Sequence, residues 1–166
     1  MAKVLAKIYG VNVKKAEIAG LLHDCAKTIS NDEKERLLSL MPSIGEMLNQ
    51  GNGLAHAPLG AAMAKVDFKI DDDEIFDAIY YHTVGKPNMS TLAKIVYVAD
   101  MIEINRDKEY PFAKEIRKVA KVDLDKALLL VVVRSMYAVL EKGVPLHILS
   151  VQLYNSIVMG DNNGQN

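Results

Sequence analysis

A single cysteine, Cys25, leaves nothing for a disulfide framework to be built from, and a reducing, cytoplasmic setting is expected. Tryptophan is absent and phenylalanine occurs only three times. The core must therefore be filled by aliphatic side chains, with eight methionines available for irregular gaps. Neither sign of charge dominates: 20 Lys and Arg stand against 21 Asp and Glu, for a net charge of −1. Bulk electrostatics thus gives no reason to expect a nucleic-acid partner. The longest unbroken apolar run, residues 127–133, is far short of the roughly 20 residues that cross a bilayer. No signal-peptide pattern is present, so neither membrane nor secretion is expected.

What is there suffices for one domain. The chain has 166 residues, half of them hydrophobic and a quarter charged, enough for a real core. Helical signals follow one another with few interruptions. A first helix runs over 1–9, already under way at its first residue and stopped by Gly10. A second covers 13–26, with Ala16, Ala19 and Gly20 allowing close packing. Ser30 with Glu33, and Ser43 with Glu46, are capping-box patterns. Gly51-Asn52-Gly53 reads as a loop. Pro58 sits in a first turn that tolerates proline. Asp72 and its acidic neighbours open a helix that reaches His82. Ser90 opens the helix carrying Asp100, and Asp123 opens a long one over 124–142 closed by Gly143. Pro145 starts the last, to about Val158. No stretch demands a strand. The expected fold is all-α: a helical bundle over 1–159 in one domain, with a disordered tail over 160–166.

The chemistry gathers around Leu21-Leu22-His23-Asp24-Cys25-Ala26-Lys27. An adjacent His-Asp pair at the end of an apolar helix is costly to bury without a partner, and a divalent cation would satisfy both. Taken singly, each further candidate has a plain structural explanation. His56 could be an ordinary helix-start residue, and His82 a cation favoured by a helix C-terminus. Asp100 stands out, because an unpaired carboxylate on an apolar helix is expensive. His147 reads as structural, and Cys25 as a small buried hydrophobe. Together, His23, Asp24, His56, His82 and Asp100 form a mixed imidazole–carboxylate set suited to Fe, Mn or Zn. Lys27 shares a face with the His-Asp pair and could meet a phosphate. Asp100, Glu103 and Asp107 share another, with Arg106 nearby.

These motifs resemble the HD-domain metal phosphohydrolases. With His56-Ala57-Pro58-Leu59-Gly60-Ala61, the stretch from His82 to Ser90, and Lys94-Ile95-Val96-Tyr97-Val98-Ala99-Asp100-Met101-Ile102-Glu103 followed by Arg106, the chain resembles the YqeK-type symmetrical bis(5'-nucleosyl)-tetraphosphatases over essentially its whole length. The resemblance implies an HD-domain helical bundle and a centre of two cations, of iron type. It implies symmetrical hydrolysis of diadenosine tetraphosphate to two ADP by a metal-activated water. By position it puts His23, Asp24 and Asp100 on one cation, with Asp24 bridging to a second held by His56 and His82. Asp24, Lys27 and Asp100 are the implied catalytic residues, and Lys27, Thr83 and Arg106 lie near the phosphates. One feature departs from the pattern. Hydrolases of this type carry a further histidine on the preceding helix, and none precedes His23 here. The first helix accordingly reads as the second half of something longer, and one cation as short of a protein ligand. Two alternatives stay open: hydrolysis of another nucleotide, or a catalytically impaired module that binds a nucleotide. The apolar helices would also allow a homodimer.

Overall fold

Side-chain caps introduce most of the helices in a computed structural model of the protein, which describes residues 1–48, 53–107 and 110–162. Asn12 accepts from the amides of Lys14 and Lys15 to open α2 (Val13–Leu22), which follows α1 (Ala2–Ile8). Ser30 accepts from Glu33 N–H to open α3 (Asn31–Leu40). A 3-10 turn (Pro42–Ile44) leads into the short α4 (Gly45–Leu48). α5 (His56–Val66) starts without a side-chain cap. Asp72 caps α6 (Asp73–Tyr80) and Ser90 caps α7 (Thr91–Met101). α8 spans Ala113–Ala120, and Asp123 caps α9 (Leu124–Glu141). α10 is Ile148–Asn162. Each cap satisfies amides that the helix leaves without partners, and is worth about 1 kcal/mol. Among the described residues there is no strand, so the all-α expectation holds.

The core forms around α7, which packs on α1, α2, α6 and α9. Leu92, Ile95, Val96 and Val98 of α7 meet Leu128, Val131 and Val132 of α9 and Ile79 of α6 in one cluster of buried side chains. Burying each such side chain contributes about 1.5–3 kcal/mol. Ala16 and Ala19 of α2 are fully buried, as their size predicted. A smaller cluster of Ala26, Leu37, Ile44, Leu59 and Ala62 lies under α3 and α5.

Several boundaries differ from expectation, each for a local reason. α2 stops at Leu22 rather than residue 26, and α6 at Tyr80 rather than His82; both histidines instead lie in turns just beyond their helices. Residues 42–44 wind as a 3-10 turn, which places Ser43 inside the turn rather than ahead of a helix. Asp107 does not share the Asp100 face: α7 ends at Met101, Glu103 caps the 3-10 turn Ile104–Arg106, and Asp107 pairs with Arg117. α9 ends at Glu141, one residue before the expected 142, and is closed by Gly143 at φ +64° as read. Val144 N–H bonds to Val139 C=O and Gly143 N–H to Leu140 C=O, the pairing that left-handed glycine makes possible. The last helix begins at Ile148 rather than at Pro145, and His147 Nδ1 accepts from Leu149 N–H as its cap. It continues to Asn162, past the point where the tail was expected; residues 163–166 lie outside the described residues, as do Gly51 and Asn52 of the expected loop.

Candidate metal centre

His23 and His82 are placed by the same device. Each lies just past a helix end, His23 one residue after α2 and His82 two after α6, where carbonyls lose the regular helical amide partner. His23 Nδ1 donates to the Gly20 carbonyl at 2.8 Å, and His82 Nδ1 to the Ile79 carbonyl at 2.7 Å, both three residues back. A proton held on Nδ1 leaves the Nε2 lone pair free, and in both cases Nε2 points inward. His23 Nε2 lies 3.2 Å from Asp100 Oδ1 and 3.3 Å from Asp24 Oδ2. The His23 and His82 rings meet edge to face, with centroids 4.9 Å apart.

His56 enters from the opposite side as the first residue of α5. Gly60 in the same helix lies against the backbone at the end of α2: an added Cβ would sit 3.4 Å from the His23 carbonyl and 3.5 Å from that of Leu22. A methyl there would meet these atoms at ordinary van der Waals contact, and a side chain larger than that of alanine would press α5, and His56 with it, away from the cluster. As it is, His56 Nε2 is 3.1 Å from His82 Nε2 and 3.4 Å from Asp24 Oδ1. Asp100 is contributed by the last turn of α7. All five residues expected to ligate are thus brought together, and one ligand atom each from His23, Asp24 and His82 lies within 4.8 Å of the others.

The electrostatics is sharply graded. Burial alone would raise the Asp24 carboxyl, but the imidazoles of His82 and His23 and the Lys27 ammonium outweigh it and hold Asp24 far below the usual carboxylate range. Burial and contact with His23 and Arg106 pull Asp100 in opposite directions, and the cationic partners prevail. His23 is raised: burial opposes its charge, yet Asp100 and Asp24 more than compensate. His56 is pushed down to about 4, by burial first and then by the neighbouring His82.

The donor set fits a divalent cation. Asp24 Oδ1 is buried and has no hydrogen-bond partner, although it faces His56 Nε2 and, at 3.5 Å, His82 Nε2. Three imidazole nitrogens clustered with two carboxylates, one of them holding an unsatisfied buried oxygen, are what such an ion would bring to balance. Imidazole with carboxylate is the donor chemistry of first-row transition metals.

The residues expected near phosphate are at the edge of the cluster, and two of them are engaged with it. Lys27 Nζ is 2.5 Å from Asp24 Oδ2, and Arg106 Nη2 is 3.1 Å from Asp100 Oδ1. Lys27, Thr83 and Arg106 line a cleft of about 480 Å³ that opens onto His56, His82 and Asp100. A second cavity of about 390 Å³ is walled by Ala16, Gly20, His23, Asp24, Val96 and Asp100. Among the residues of the first cleft that sequence reasoning missed are Tyr97, Ser135 and Lys142. Tyr97 is buried, and its phenol is lifted to about 12 by that burial against a hydrogen bond from Ser135. The only local signal was a tyrosine inside the apolar face of α7, three residues before Asp100; Ser135 of α9 and Lys142 just past its end are tied to the site by no local pattern.

Comparison with known proteins agrees with this geometry. A family model for the HD domain matches residues 1–105. A symmetrical bis(5'-nucleosyl)-tetraphosphatase of Halalkalibacterium halodurans is 37% identical over 155 residues, covering 93% of this chain and 82% of that protein. The protein of the same description from Bacillus subtilis is 37% identical over 156 residues, covering 94% and 83%. Among solved structures, a protein from Clostridium acetobutylicum described as a predicted HD superfamily hydrolase involved in NAD metabolism superposes with a TM-score of 0.80 at 36% identity, covering 95% of this chain and 84% of that one.

Proposed function

This chain belongs to the HD-domain family, in the company of the symmetrical bis(5'-nucleosyl)-tetraphosphatases, and we propose that it is a metal-dependent phosphohydrolase that cleaves diadenosine tetraphosphate into two ADP. The observation that carries the reading is the cluster of three imidazole Nε2 atoms with two carboxylates, in which the buried Oδ1 of Asp24 faces His56 and His82 without a hydrogen-bond partner while Oδ2 and Asp100 face His23. Such a set has little purpose in a purely structural core, where apolar packing would cost less. His23, Asp24 and Asp100 would hold one cation, and Asp24 with His56 and His82 would hold a second. Iron is the proposed metal. A divalent ion at this position lowers the pKa of water and offsets charge on phosphoryl oxygens.

The chain's own residues supply the remainder. The backbone carbonyls of Gly20 and Ile79 hold the His23 and His82 rings with Nε2 forward, which avoids reorganisation during the reaction. Lys27 and Arg106 line the cleft beside the cluster, where their charges stabilise the polyphosphate and the ADP that leaves. The Thr83 hydroxyl donates to a phosphate oxygen from the same wall. The balanced step adds water across the central P–O–P bridge: the water oxygen forms a bond to one inner phosphorus, the bridging oxygen leaves with the other half, and two ADP result.

Purified protein loaded with Fe²⁺ or Mn²⁺ and given diadenosine tetraphosphate tests the reading by product chromatography. ADP as the only nucleotide product is expected. Equal AMP and ATP, or no turnover with any first-row metal, would overturn it. A panel of other nucleotides in the same assay separates this substrate from a related one.

A further inference from the structure

The helix α8 buries Ala113, Ile116 and Ala120. Positions 113, 116, 117 and 120 have the spacing that seats an amphipathic helix on a core, and the remaining one of the four is an arginine, Arg117. Its side chain is 13% exposed. A guanidinium does not give up its charge, so at such a position its donors must find partners. Arg117 finds three, all in the stretch of chain that leaves α7. Its Nε donates to the Ile102 carbonyl at 2.8 Å, and Nη2 donates to the Glu103 carbonyl at 3.4 Å and to Asp107 Oδ1 at 2.5 Å. Glu115 and Lys118 of the same helix, by contrast, pair with one another at the surface.

Those three partners bracket the 3-10 turn Ile104–Arg106, two standing before it and one after. The turn needs such a hold. None of its three residues is buried, and Ile104 is 61% exposed. Ile102 is fully buried and fixes where the segment enters; beyond that residue, the direction of the chain is left to polar bonds. Arg106 N–H bonds to Glu103 C=O, Asp107 N–H to Ile104 C=O and Tyr110 N–H to Arg106 C=O, which curls the segment without attaching it to another element. The Met1 amine reaches the Glu103 carboxylate, a side chain rather than the backbone. Arg117 ties the backbone itself to α8, through bonds whose donor carries a charge. Arg106 is the last residue of the turn, so the turn's direction sets where its guanidinium stands: 3.1 Å from Asp100 Oδ1, on the wall of the cleft. Arg117 lines neither cavity. We propose that Arg117 is a positioning residue, which brackets the 104–106 turn from α8 and thereby fixes Arg106 beside Asp100, where it meets the polyphosphate. A lysine would offer a single point of charge where this planar fork spans both ends of the turn. The inference rests on the proposed function, which sets the phosphates against Arg106.

Steady-state kinetics on the metal-loaded full chain with diadenosine tetraphosphate reads the effect as a split between KM and kcat. Arg117→Met keeps an aliphatic stem and removes the fork; KM is expected to rise about five- to tenfold while kcat stays within about twofold. In an Arg106→Ala background the same substitution is expected to change KM by less than about twofold, because the side chain it positions is gone. A merely structural loss would lower kcat through the active fraction and would act alike in both backgrounds. Asp107→Ala removes one side of the bracket at an exposed position, so it decides the matter should Arg117→Met not fold; KM is expected to rise about two- to threefold, and again only when Arg106 is present. Hydrogen exchange needs no substrate. The amides of Arg106, Asp107 and Tyr110 are expected to exchange about tenfold faster in both variants, with those of Leu128 and Val131 in the core unchanged. A parent protein without turnover would defeat the proposed function, and the exchange rates would still decide on the bracket. Unchanged KM in both variants, equal effects with and without Arg106, or unchanged exchange at the three amides would overturn the inference.

Discussion

His23 and His56 flank the same carboxylate and live in opposite electrical surroundings. His23 meets two carboxylates, Asp24 and Asp100, and its charged form is favoured despite burial. His56 meets another imidazole at 3.1 Å and one carboxylate oxygen, and its charged form is suppressed. The difference lies in what each neighbouring helix contributes. α7 adds Asp100 on the His23 side, while α6 leads into His82 on the His56 side. Each side offers a cation one share of Asp24, but the His23 side is anionic and the His56 side nearly neutral. The two halves of the centre should therefore hold metal with different strengths, the His23 side more tightly, because a carboxylate brings a full charge and an imidazole only a lone pair.

The strongest way to break the comparison is to remove what the halves share. Asp24→Ala is expected to abolish metal retention on both sides and to lower turnover of diadenosine tetraphosphate by at least about a thousandfold, as loss of several kcal/mol of metal-derived stabilisation requires. Elemental analysis and kcat together check this. Asp24→Ala protein that keeps its metal would show that the two sides are not joined through this residue.

Separating the halves is the next largest effect. His56→Ala should lose metal from its own side only and keep the more tightly held ion, whereas Asp100→Asn should weaken the His23 side. Titration with a chelator, followed by elemental analysis, reads the two populations. Equal loss of both ions from either variant would contradict the graded picture.

Smaller effects are expected at the cleft edge. Lys27→Ala, Thr83→Ala and Arg106→Ala should each raise KM for the dinucleotide about tenfold, the scale of one charge-assisted or neutral hydrogen bond to phosphate. Metal content should stay near that of the parent protein. A fall in kcat with KM unchanged would move the affected residue from binding to the chemical step.

The pH dependence sharpens the contrast most finely. In chelator-stripped protein, the folded-state value of His56 lies near 4, below the 6.5 of an ordinary histidine. Between those values the unfolded chain binds more protons than the folded one, so this group's contribution to stability is lost as pH falls from 6.5 towards 4. His23 is raised and has the opposite sign: its stabilisation is complete below pH 6.5 and fades as pH rises through its higher folded value. Urea denaturation across pH 4–8 should therefore show a shallower acid loss for His56→Gln than for the parent, and a shallower alkaline loss for His23→Gln. Parallel curves for all three proteins would show that neither group is set apart by its surroundings.

Local chemistry carried much of this into the linear chain. The caps at Ser30, Asp72, Ser90 and Asp123 were legible because a side-chain oxygen two or three residues from an orphan amide needs no help from the rest of the fold. The all-α architecture followed from those caps and from the apolar periodicity between them. His23-Asp24 and Asp100 were legible as residue types too polar for their apolar settings, and His56 and His82 only as members of the whole set and through the family resemblance. Where helices stop was less legible. His23 and His82 compete for carbonyls of the turn before them, and that bond to Gly20 or Ile79 is made only when the ring has a polar cluster to face. Only tertiary structure could bring Tyr97, Ser135 and Lys142 to one cleft, since α7 and α9 meet through packing of side chains far apart in sequence. The tertiary structure also decided the electrical difference between His23 and His56: both are imidazoles in the sequence, and their proton affinities depend on which charges lie within about 4 Å, a distance that exists only after the helices have packed.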